Sequence, residues 1–306
     1  MSGTVNRALA LAAAVSLIAA PALAQKGPSA SPASEPDAVQ GIALDEFSET
    51  GPNTLTLDGI TARIEAQANS DETITPIYIL EDSSGEVLRF EGEPSFFSFL
   101  PASMRLVNID PSTSEPELIA SSYTGGAHCC DRIQIAALSP SGVWQMHELG
   151  LFDGGYTVWD ANEDGFGEIE VADQSFLYTF DCYACSAPPP RFFTLRDGEP
   201  VDISGNPDLY PTFESQLQRF DSPAAMSGEP GRLAGWAGIE ARLGRGEEAL
   251  ATLEQINVAS DTVYEICVDG GSVWECADAD KREVGFVAFL RSHLVEQGYL
   301  EQRGKG

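Results

Sequence analysis

Basic residues are scarce in this chain of 306 residues. It contains 47 Asp and Glu residues against 17 Lys and Arg residues, and its formal net charge at pH 7 is −30. Lysine occurs only at positions 26, 281 and 305. A surface this acidic repels phosphate groups and anionic lipid headgroups. The composition therefore argues against nucleic-acid binding and against attachment to a membrane surface.

Histidine and recognisable catalytic motifs are scarce as well. The chain has three histidines, His128, His147 and His293. It has no Gly-x-Ser-x-Gly, His-Glu-x-x-His or Walker motif, and no Gly-x-Gly-x-x-Gly after a strand. Carboxylate pairs suited to glycoside hydrolysis carry no information, because 47 acids always provide a plausible pair. No enzyme class follows from these residues, and we favour a role without catalysis.

A long apolar stretch is present only at the N-terminus. After Arg7, residues 8–20 are almost all small and apolar, and residues 22–24 have the small-x-small pattern of a secretory cleavage site. The stretch is too short for a transmembrane anchor, which needs about 20 residues. We therefore predict a signal peptide over residues 1–24 and a mature protein that starts near Gln25. Its location would be the periplasm or the medium, without a membrane anchor.

The rest of the chain divides into three parts. Residues 25–54 begin with a stretch rich in Pro, Ser and Ala, which predicts a flexible leader. Residues 55–204 contain short runs with period two, such as Ile60 to Ala68, separated by turns with glycine. Residues 205–306 change to helical periodicity. The predicted class is α+β: a mainly antiparallel β domain (sandwich, barrel or propeller-like sheet) followed by a small helical C-terminal domain. Further strands are predicted at residues 77–80, 87–90, 96–100, 104–109, 118–122, 133–138, 143–149, 156–160, 169–172, 176–180 and 192–195.

The helical part contains amphipathic stretches. Their apolar stripes are Leu233, Trp236, Ile239 and Leu243, then Leu250, Leu253 and Ile256, and finally Val284, Val287, Leu290 and Leu294. The turn over residues 241–250 resembles the turn of a tetratricopeptide repeat. The sequence has no second copy, and a lone repeat cannot bury its apolar face. An ordinary helical hairpin is therefore the favoured interpretation.

The most specific chemical pattern is an acidic loop over residues 160–168, Asp-Ala-Asn-Glu-Asp-Gly-Phe-Gly-Glu. Its oxygen ligands alternate along the chain, and Gly165 stands where the chain must turn sharply. These ligands are the side chains of Asp160, Asn162, Asp164 and Glu168 and the carbonyl group of Phe166. Ca²⁺ binds roughly six to eight oxygens, so the spacing predicts a calcium site. The alternative is a plain Asp-Gly hairpin turn with solvated acids.

The flanks of this loop distinguish two calcium motifs. An EF-hand would place a bidentate Glu at position 12, but Val171 stands there, and both flanks have strand-like sequences. The loop instead resembles the calcium-binding hairpin of FG-GAP repeats, which build integrin-type propellers. This resemblance covers about ten residues and occurs once. It implies a bound ion and no activity.

Six cysteines in an exported chain predict disulfide bonds. Cys267 and Cys276 lie on either side of an Asp-Gly-Gly turn and are expected to pair. The other four, Cys129, Cys130, Cys182 and Cys185, can pair in three ways. On a strand, adjacent residues and residues three apart point to opposite faces, so links between the two segments need less distortion. A local bond between Cys182 and Cys185 stays open.

The same cysteines offer a metal alternative. His128 precedes Cys129 and Cys130, and the Cys-x-x-Cys spacing at residues 182–185 suits a Zn²⁺ or Cu site. Thiolates in an oxidising compartment tend to form disulfides, which disfavours this metal site. A redox role is also disfavoured, because residues 182–185 follow a strand-like pattern instead of beginning a helix.

Several features together are similar to a family of uncharacterised exported proteins. They are the Gly-Gly-Ala-His-Cys-Cys turn at residues 125–130, the calcium-type hairpin, the Cys-x-x-Cys motif and the helical tail. The resemblance would span most of residues 60–300 and implies a β-rich domain plus a helical part, without an activity. We expect an exported, calcium-stabilised, disulfide-bonded binding or structural protein with an unknown envelope or extracellular ligand. The alternatives are a cell-envelope hydrolase that cleaves polysaccharide or peptidoglycan with acidic residues, and a His/Cys metal-handling protein.

Overall fold

The computed structural model describes most of the chain after residue 38. The described residues are 39–48, 50, 51, 53–97, 100–126, 129–256, 258, 263–268 and 276–301. All of them belong to the unit formed by residues 36–306. The predicted signal peptide, the first part of the predicted leader, and His128 of the metal alternative lie outside the described residues.

Antiparallel strands come first in this unit, and a small helical part follows. The strands are β1 (Gly41–Leu44), β2 (Thr54–Leu57), β3 (Ile60–Ala68), β4 (Ile74–Asp82), β5 (Gly85–Glu91), β6 (Ala102–Val107), β7 (Glu117–Tyr123), β8 (Asp131–Leu138), β9 (Trp144–Phe152), β10 (Thr157–Trp159), β11 (Glu168–Ala172), β12 (Pro190–Arg196), β13 (Glu199–Asp202), β14 (Tyr264–Cys267) and β15 (Lys281–Val284). The helices are α1 (Tyr210–Leu217), α2 (Pro230–Arg242), α3 (Gly246–Gln255) and α4 (Phe286–Glu296). The predicted α+β class is confirmed.

A five-stranded sheet with the order β1-β6-β7-β8-β9 forms the middle layer. One face packs on the sheet β2-β3-β4-β5, and the other packs on the sheet β10-β11-β12-β13. Successive side chains of β7 point to opposite faces of this sheet. Leu118 packs in the first core, against β2-β3-β4-β5, and Ile119 packs in the second core, against β10-β11-β12-β13. Because both faces are covered, β7 is buried over almost its whole length. The hydroxyl of Tyr78 donates a hydrogen bond of 2.6 Å to the carbonyl of Ser121 and ties the first two layers together.

Two segments differ from the sequence-based expectation in the β region. Residues 41–44 of the predicted flexible leader form β1, because Ile42 and Leu44 pack against the first core while the strand pairs with β6. The predicted strand at residues 176–180 is wrong, since this segment leaves a short 3-10 helix and turns at Tyr178 with φ of 59°. The two Phe side chains of this segment enter the helical core, while Tyr178 between them faces solvent. The described residues of the predicted strand 96–100 lie outside any strand.

The helical part contains a two-stranded ribbon that its periodicity does not predict. Strands β14 and β15 pair antiparallel, and their Cys267 lies opposite Lys281. Val284, expected on the stripe of the last helix, ends β15, and α4 begins at Phe286. Helices α2, α3 and α4 then close around one apolar core, to which Phe176 and Phe180 also contribute.

A stripe of glycines lets α2 approach the segment that follows Cys185. Gly231, Gly235 and Gly238 are spaced four and three apart, so they share one face of the helix. A Cβ atom on Gly235 would collide with the carbonyl oxygen of Ala187, and one on Gly231 would lie 2.5 Å from the carbonyl oxygen of Cys185. The two backbones are therefore closer than any side chain would permit.

His293 of α4 is buried between this helix and the segment 173–180. Its ring meets those of Phe176 and Phe180 edge-on at 4.8 and 5.1 Å between centroids, and its Nε2 lies 3.2 Å from Ser175 Oγ. Burial lowers the pKa of His293 to about 4, although the carboxylate of Asp173 acts in the opposite direction. The imidazole is therefore neutral in the folded protein above that pH.

The buried histidine should make the protein less stable as the pH falls from about 6.5 towards about 4. In this range the unfolded chain binds a proton at His293 that the folded chain does not accept, so protons favour unfolding. A His293→Gln variant should lose this part of the slope when urea unfolding is measured across the range. Buried carboxyls with raised pKa values, such as Glu117, act in the opposite sense but are common to both proteins. Equal slopes in the two proteins would contradict the prediction.

Candidate functional site

The acidic loop joins two paired strands. In the hairpin of β10 and β11, Trp159 lies opposite Glu168, so residues 160–167 form the connection. Two residues of the loop have left-handed backbones, Glu163 with φ of 62° and Gly165 with φ of 91°. A left-handed backbone favours glycine, which explains the residue at position 165. The loop is therefore a hairpin connection between strands and has no flanking helices.

Backbone amide groups point inward at the first half of the loop. Asp160 accepts hydrogen bonds from the amides of Asp164 and Gly165 at 2.9 and 2.8 Å. Asn162 Oδ1 also accepts from the Asp164 amide at 2.9 Å, and Asp164 Oδ1 accepts from the amide of Phe166 at 2.9 Å. These bonds wrap the chain around the side-chain oxygens at positions 1, 3 and 5 and hold those oxygens on the inner side of the turn.

Glu168 is the buried member of the set, with a relative exposure of 1%. Its Oε2 accepts a hydrogen bond of 2.6 Å from the amide of Ala161. Burial raises the pKa of Glu168 to about 7, and the charges of Asp164 and Asp160 raise it further, while the amide bond from Ala161 lowers it. The carboxyl therefore lies in a poorly solvated place beside two other acids.

The amide nitrogen of Asn162 lies between two carboxylates. It donates to Asp164 Oδ2 at 3.1 Å and to Glu168 Oε1 at 3.0 Å. In the described part of the chain, no Lys, Arg or His forms an ion pair with Asp160, Asp164 or Glu168. The oxygens of these three carboxylates do not all lie within 4.8 Å of one another. The NH2 group of Asn162 thus presents the positive end of the amide dipole to two of the three acids.

Contacts from distant parts of the chain hold the loop in place. Thr212 of α1 donates a hydrogen bond of 2.7 Å to the carbonyl of Ala161, and the amide of Gly167 donates one of 2.9 Å to the carbonyl of Asn108. Ala161 itself is buried in a core that it shares with residues of α1 and α2. The loop therefore touches both the end of the middle sheet and the helical part.

The cysteines pair within their own segments. Cys182 bonds to Cys185, and Cys129 bonds to Cys130, so the links expected between the two segments are not formed. The cause is local structure, because residues 183–185 form a 3-10 helix in which positions three apart lie on the same side. In the C-terminal ribbon, Cys267 bonds to Cys276, with Cα atoms 5.8 Å apart, and this distance is usual for a disulfide.

One group of potential metal ligands includes two of these cysteines. Among the residues that the structure describes, Asp181, Cys182 and Cys185 have ligand atoms within 4.8 Å of one another. All six cysteines are paired, so the sulfurs of this group are occupied by each other. Nothing in the described residues therefore favours the metal-handling alternative.

A cavity of about 580 Å³ opens among the turns at one end of the β sheets. Its walls combine the carboxylates of Asp58, Asp82 and Glu115 with apolar side chains that include Trp144. Each carboxylate accepts a hydrogen bond from a nearby polar group, at 2.9 Å for Asp58, 2.7 Å for Asp82 and 3.2 Å for Glu115. These acids already have hydrogen-bond partners within the protein, and they give no specific support to the hydrolase alternative.

Comparisons with known proteins agree with parts of this description. Residues 211–298 match the model of a family described as the sll0997 C-terminal domain. Over 210 residues the chain is 30% identical to a Synechocystis protein named "Probable thylakoid lumen protein sll0997", covering 66% of this chain and 62% of that protein. Over 220 residues it is 31% identical to "Uncharacterized protein y4bJ" of Sinorhizobium fredii, covering 70% of this chain and 35% of that protein. The matched region is thus less than two thirds of either relative, and no solved structure matches the chain.

None of the helices in the described part of the chain is both long enough and apolar enough to span a membrane. The longest, α2, has 13 residues, whereas a spanning helix needs about 20.

Proposed function

We propose that this protein is an exported, disulfide-bonded binding or structural protein whose β-rich body is stabilised by Ca²⁺. Export is supported by the N-terminal sequence and by similarity to a protein named for the thylakoid lumen. Three cysteine pairs suit an oxidising compartment. The ligand or partner would belong to the cell envelope or the extracellular space. The comparisons carry no activity, because both relatives lack a named one.

The calcium proposal depends on one observation, the buried carboxyl of Glu168 beside Asp160 and Asp164. Like charges in a poorly solvated site repel one another. A divalent cation would convert this repulsion into attraction. Oxygen ligands alone, in a loop of the spacing described, suit Ca²⁺ better than Zn²⁺ or Cu. The Asn162 amide oxygen is already held inside the turn by the Asp164 amide, but its nitrogen lies between Asp164 and Glu168, so a cation would have to displace that nitrogen.

Closure of the loop would stabilise more than the hairpin. Ala161 is bonded to α1 and Gly167 to the end of the middle sheet. An ion that holds positions 160 and 168 together would therefore also hold the surface on which α1 packs. We accordingly expect calcium to affect global unfolding.

The direct test is calcium binding to the purified mature protein. Titration calorimetry should detect one site, and the melting temperature should rise when Ca²⁺ replaces chelator. An ion at a hundredfold excess over its Kd stabilises by about 2.7 kcal/mol, which corresponds to a rise in Tm of roughly 5 °C or more. Mg²⁺ should have a much smaller effect, because it demands octahedral geometry and loses water reluctantly.

A matched pair of variants separates a specific site from general screening of an acidic surface. Asp164→Asn removes a charge from the loop, and we expect it to abolish the response to Ca²⁺. Asp82→Asn removes a charge from another hairpin turn, where Asp82 likewise accepts the amide of the residue two positions on, and it should leave the response intact. A response that is absent from the wild type, or equally reduced in both variants, would refute the calcium site.

A further inference from the structure

Aromatic side chains form a row at one end of the middle sheet. The rings of Phe97 and Tyr123 stack with centroids 6.3 Å apart, and those of Tyr178 and Tyr183 lie 5.3 Å apart. Tyr123 pairs with Asp131 across β7 and β8, and Asp131 pairs with Phe152 of β9. The next residue, Asp153, accepts a hydrogen bond from the Tyr183 hydroxyl, so the two pairs are neighbours. We call Phe97, Tyr123, Tyr183 and Tyr178 the aromatic row.

The row lies at the surface, where Phe97 and Tyr178 are exposed and Tyr123 and Tyr183 are half-buried. Tyr178 has a relative exposure of 60%, and Phe96, next to the row in sequence, has 80%. Leu151, at the end of β9, is also half exposed. Its carbonyl accepts a hydrogen bond from the side chain of Gln174, and the amide oxygen of Gln174 contacts the sulfurs of Cys129 and Cys130. Exposed aromatic and apolar side chains grouped at one end of a sheet are typical of an interaction site.

Carboxylates border the aromatic row. Asp153 accepts a hydrogen bond from the Tyr183 hydroxyl, which raises the pKa of that phenol to about 12. Asp131 is close enough to Asp153 for the two charges to interact, and Asp181 lies two residues before Tyr183. Within the described residues, no Lys or Arg forms an ion pair with any of these three acids. The edge of the surface is therefore negative.

We propose that the aromatic row and its bordering acids are a docking surface for an extended, arginine- or lysine-rich segment of a partner protein. This proposal rests on the binding role proposed above and gives its partner a chemistry, but it does not depend on the calcium loop. Cations are attracted to the faces of Tyr and Phe rings, and a nearby carboxylate strengthens the attraction. A chain with a net charge of −30 would also attract a basic segment over a distance.

The same rings could stack on a sugar, so the choice of a basic segment needs its own reason. Stacking on a neutral sugar does not require charge at the site, whereas here Asp131 lies opposite Tyr123 and Asp153 accepts from Tyr183. A row of four rings also suits a ligand with repeated side chains along an extended backbone. The charge and the length of the row therefore favour a basic peptide segment over an oligosaccharide.

The test uses the mature, oxidised protein and a short synthetic peptide in which arginine alternates with glycine. We expect the peptide to bind with an affinity that falls as NaCl is raised, and a peptide with glutamine in place of arginine should not bind measurably. Tyr178→Ala should weaken binding about three- to tenfold, the range of a single cation–π contact. Asp153→Asn should weaken it as well. Titrations in Ca²⁺ and in chelator should agree, because the row lies outside the calcium loop.

The control variant is Val143→Ala. Val143 is also exposed and apolar, but it lies at the opposite end of the β8–β9 hairpin, beside the acids of the cavity described above. It should change peptide affinity less than about twofold. Equal weakening by Val143→Ala, equal binding of the glutamine peptide, or binding of a chitin oligosaccharide without binding of the arginine peptide would each overturn the proposal. Loss of peptide binding in chelator alone would contradict the statement that the aromatic row does not depend on the calcium loop.

Discussion

A Gly235→Ala substitution should destabilise the protein by more than about 3 kcal/mol, although alanine is the better helix former. In the middle of α2 the change would ordinarily stabilise the helix by about 1 kcal/mol. Here the new methyl group would collide with the carbonyl oxygen of Ala187, and a backbone atom cannot move aside as a flexible side chain can. The helix and the segment after Cys185 would have to separate, and the core around Phe176 and Phe180 would lose its packing.

The measurement is urea unfolding of the wild type, Gly235→Ala and Gly228→Ala. Gly228 lies just before α2 and has no atom within 4 Å of the position of an added Cβ. Its substitution should change the unfolding free energy by less than about 0.5 kcal/mol. A Gly235→Ala protein as stable as the Gly228→Ala protein would show that α2 does not approach the segment as closely as described.

The glycine stripe illustrates what the sequence could and could not predict. Gly231, Gly235 and Gly238 are visible at helical spacing, but the sequence does not say which segment approaches them. That segment, residues 185–189, is about 45 residues away in the chain and has no periodic pattern of its own. Contacts between such remote segments follow from the packing of the whole unit.

Periodicity predicted the strands best where one face of a strand is buried and the other is not. Strand β3 has this pattern and is reproduced at both ends. The same rule failed at Phe176 to Phe180, where aromatic residues alternate in the sequence of a turn although only Phe176 and Phe180 are buried. It also missed β1, whose four residues are too few to distinguish from a leader with two apolar residues.

The loop at residues 160–168 was located by spacing alone, and its strand flanks followed from the same pattern. Its anchors could not be predicted, because Thr212 and Asn108 are ordinary polar residues some 50 positions away on either side. The aromatic row was missed for a similar reason. Phe97, Tyr123 and the pair Tyr178 and Tyr183 lie in three different segments of the chain, and their approach follows from the packing of the whole unit.

The substitution Glu168→Gln should have opposite effects without and with calcium. In chelator, the variant should be as stable as the wild type or more stable, by up to about 2 kcal/mol, because a neutral amide relieves the repulsion from Asp160 and Asp164. The amide oxygen can still accept from the amide of Ala161. In saturating Ca²⁺, the order should reverse, because the wild type gains about 2.7 kcal/mol at a hundredfold excess and the variant lacks a charged ligand.

Two melting curves for each protein, in chelator and in Ca²⁺, decide this prediction, and Glu170→Gln provides the matched control. Glu170 lies two residues further along β11, where its Oε2 accepts a hydrogen bond of 2.7 Å from the Trp159 indole, so any effect of Glu170→Gln on stability should be the same in both conditions. A structural carboxylate would behave like Glu170, because its loss would not depend on the ion. Only a calcium ligand would make the variant the more stable protein in chelator and the less stable protein in Ca²⁺. If Glu168→Gln changes Tm by the same amount in chelator and in Ca²⁺, then the loop does not bind calcium through this residue.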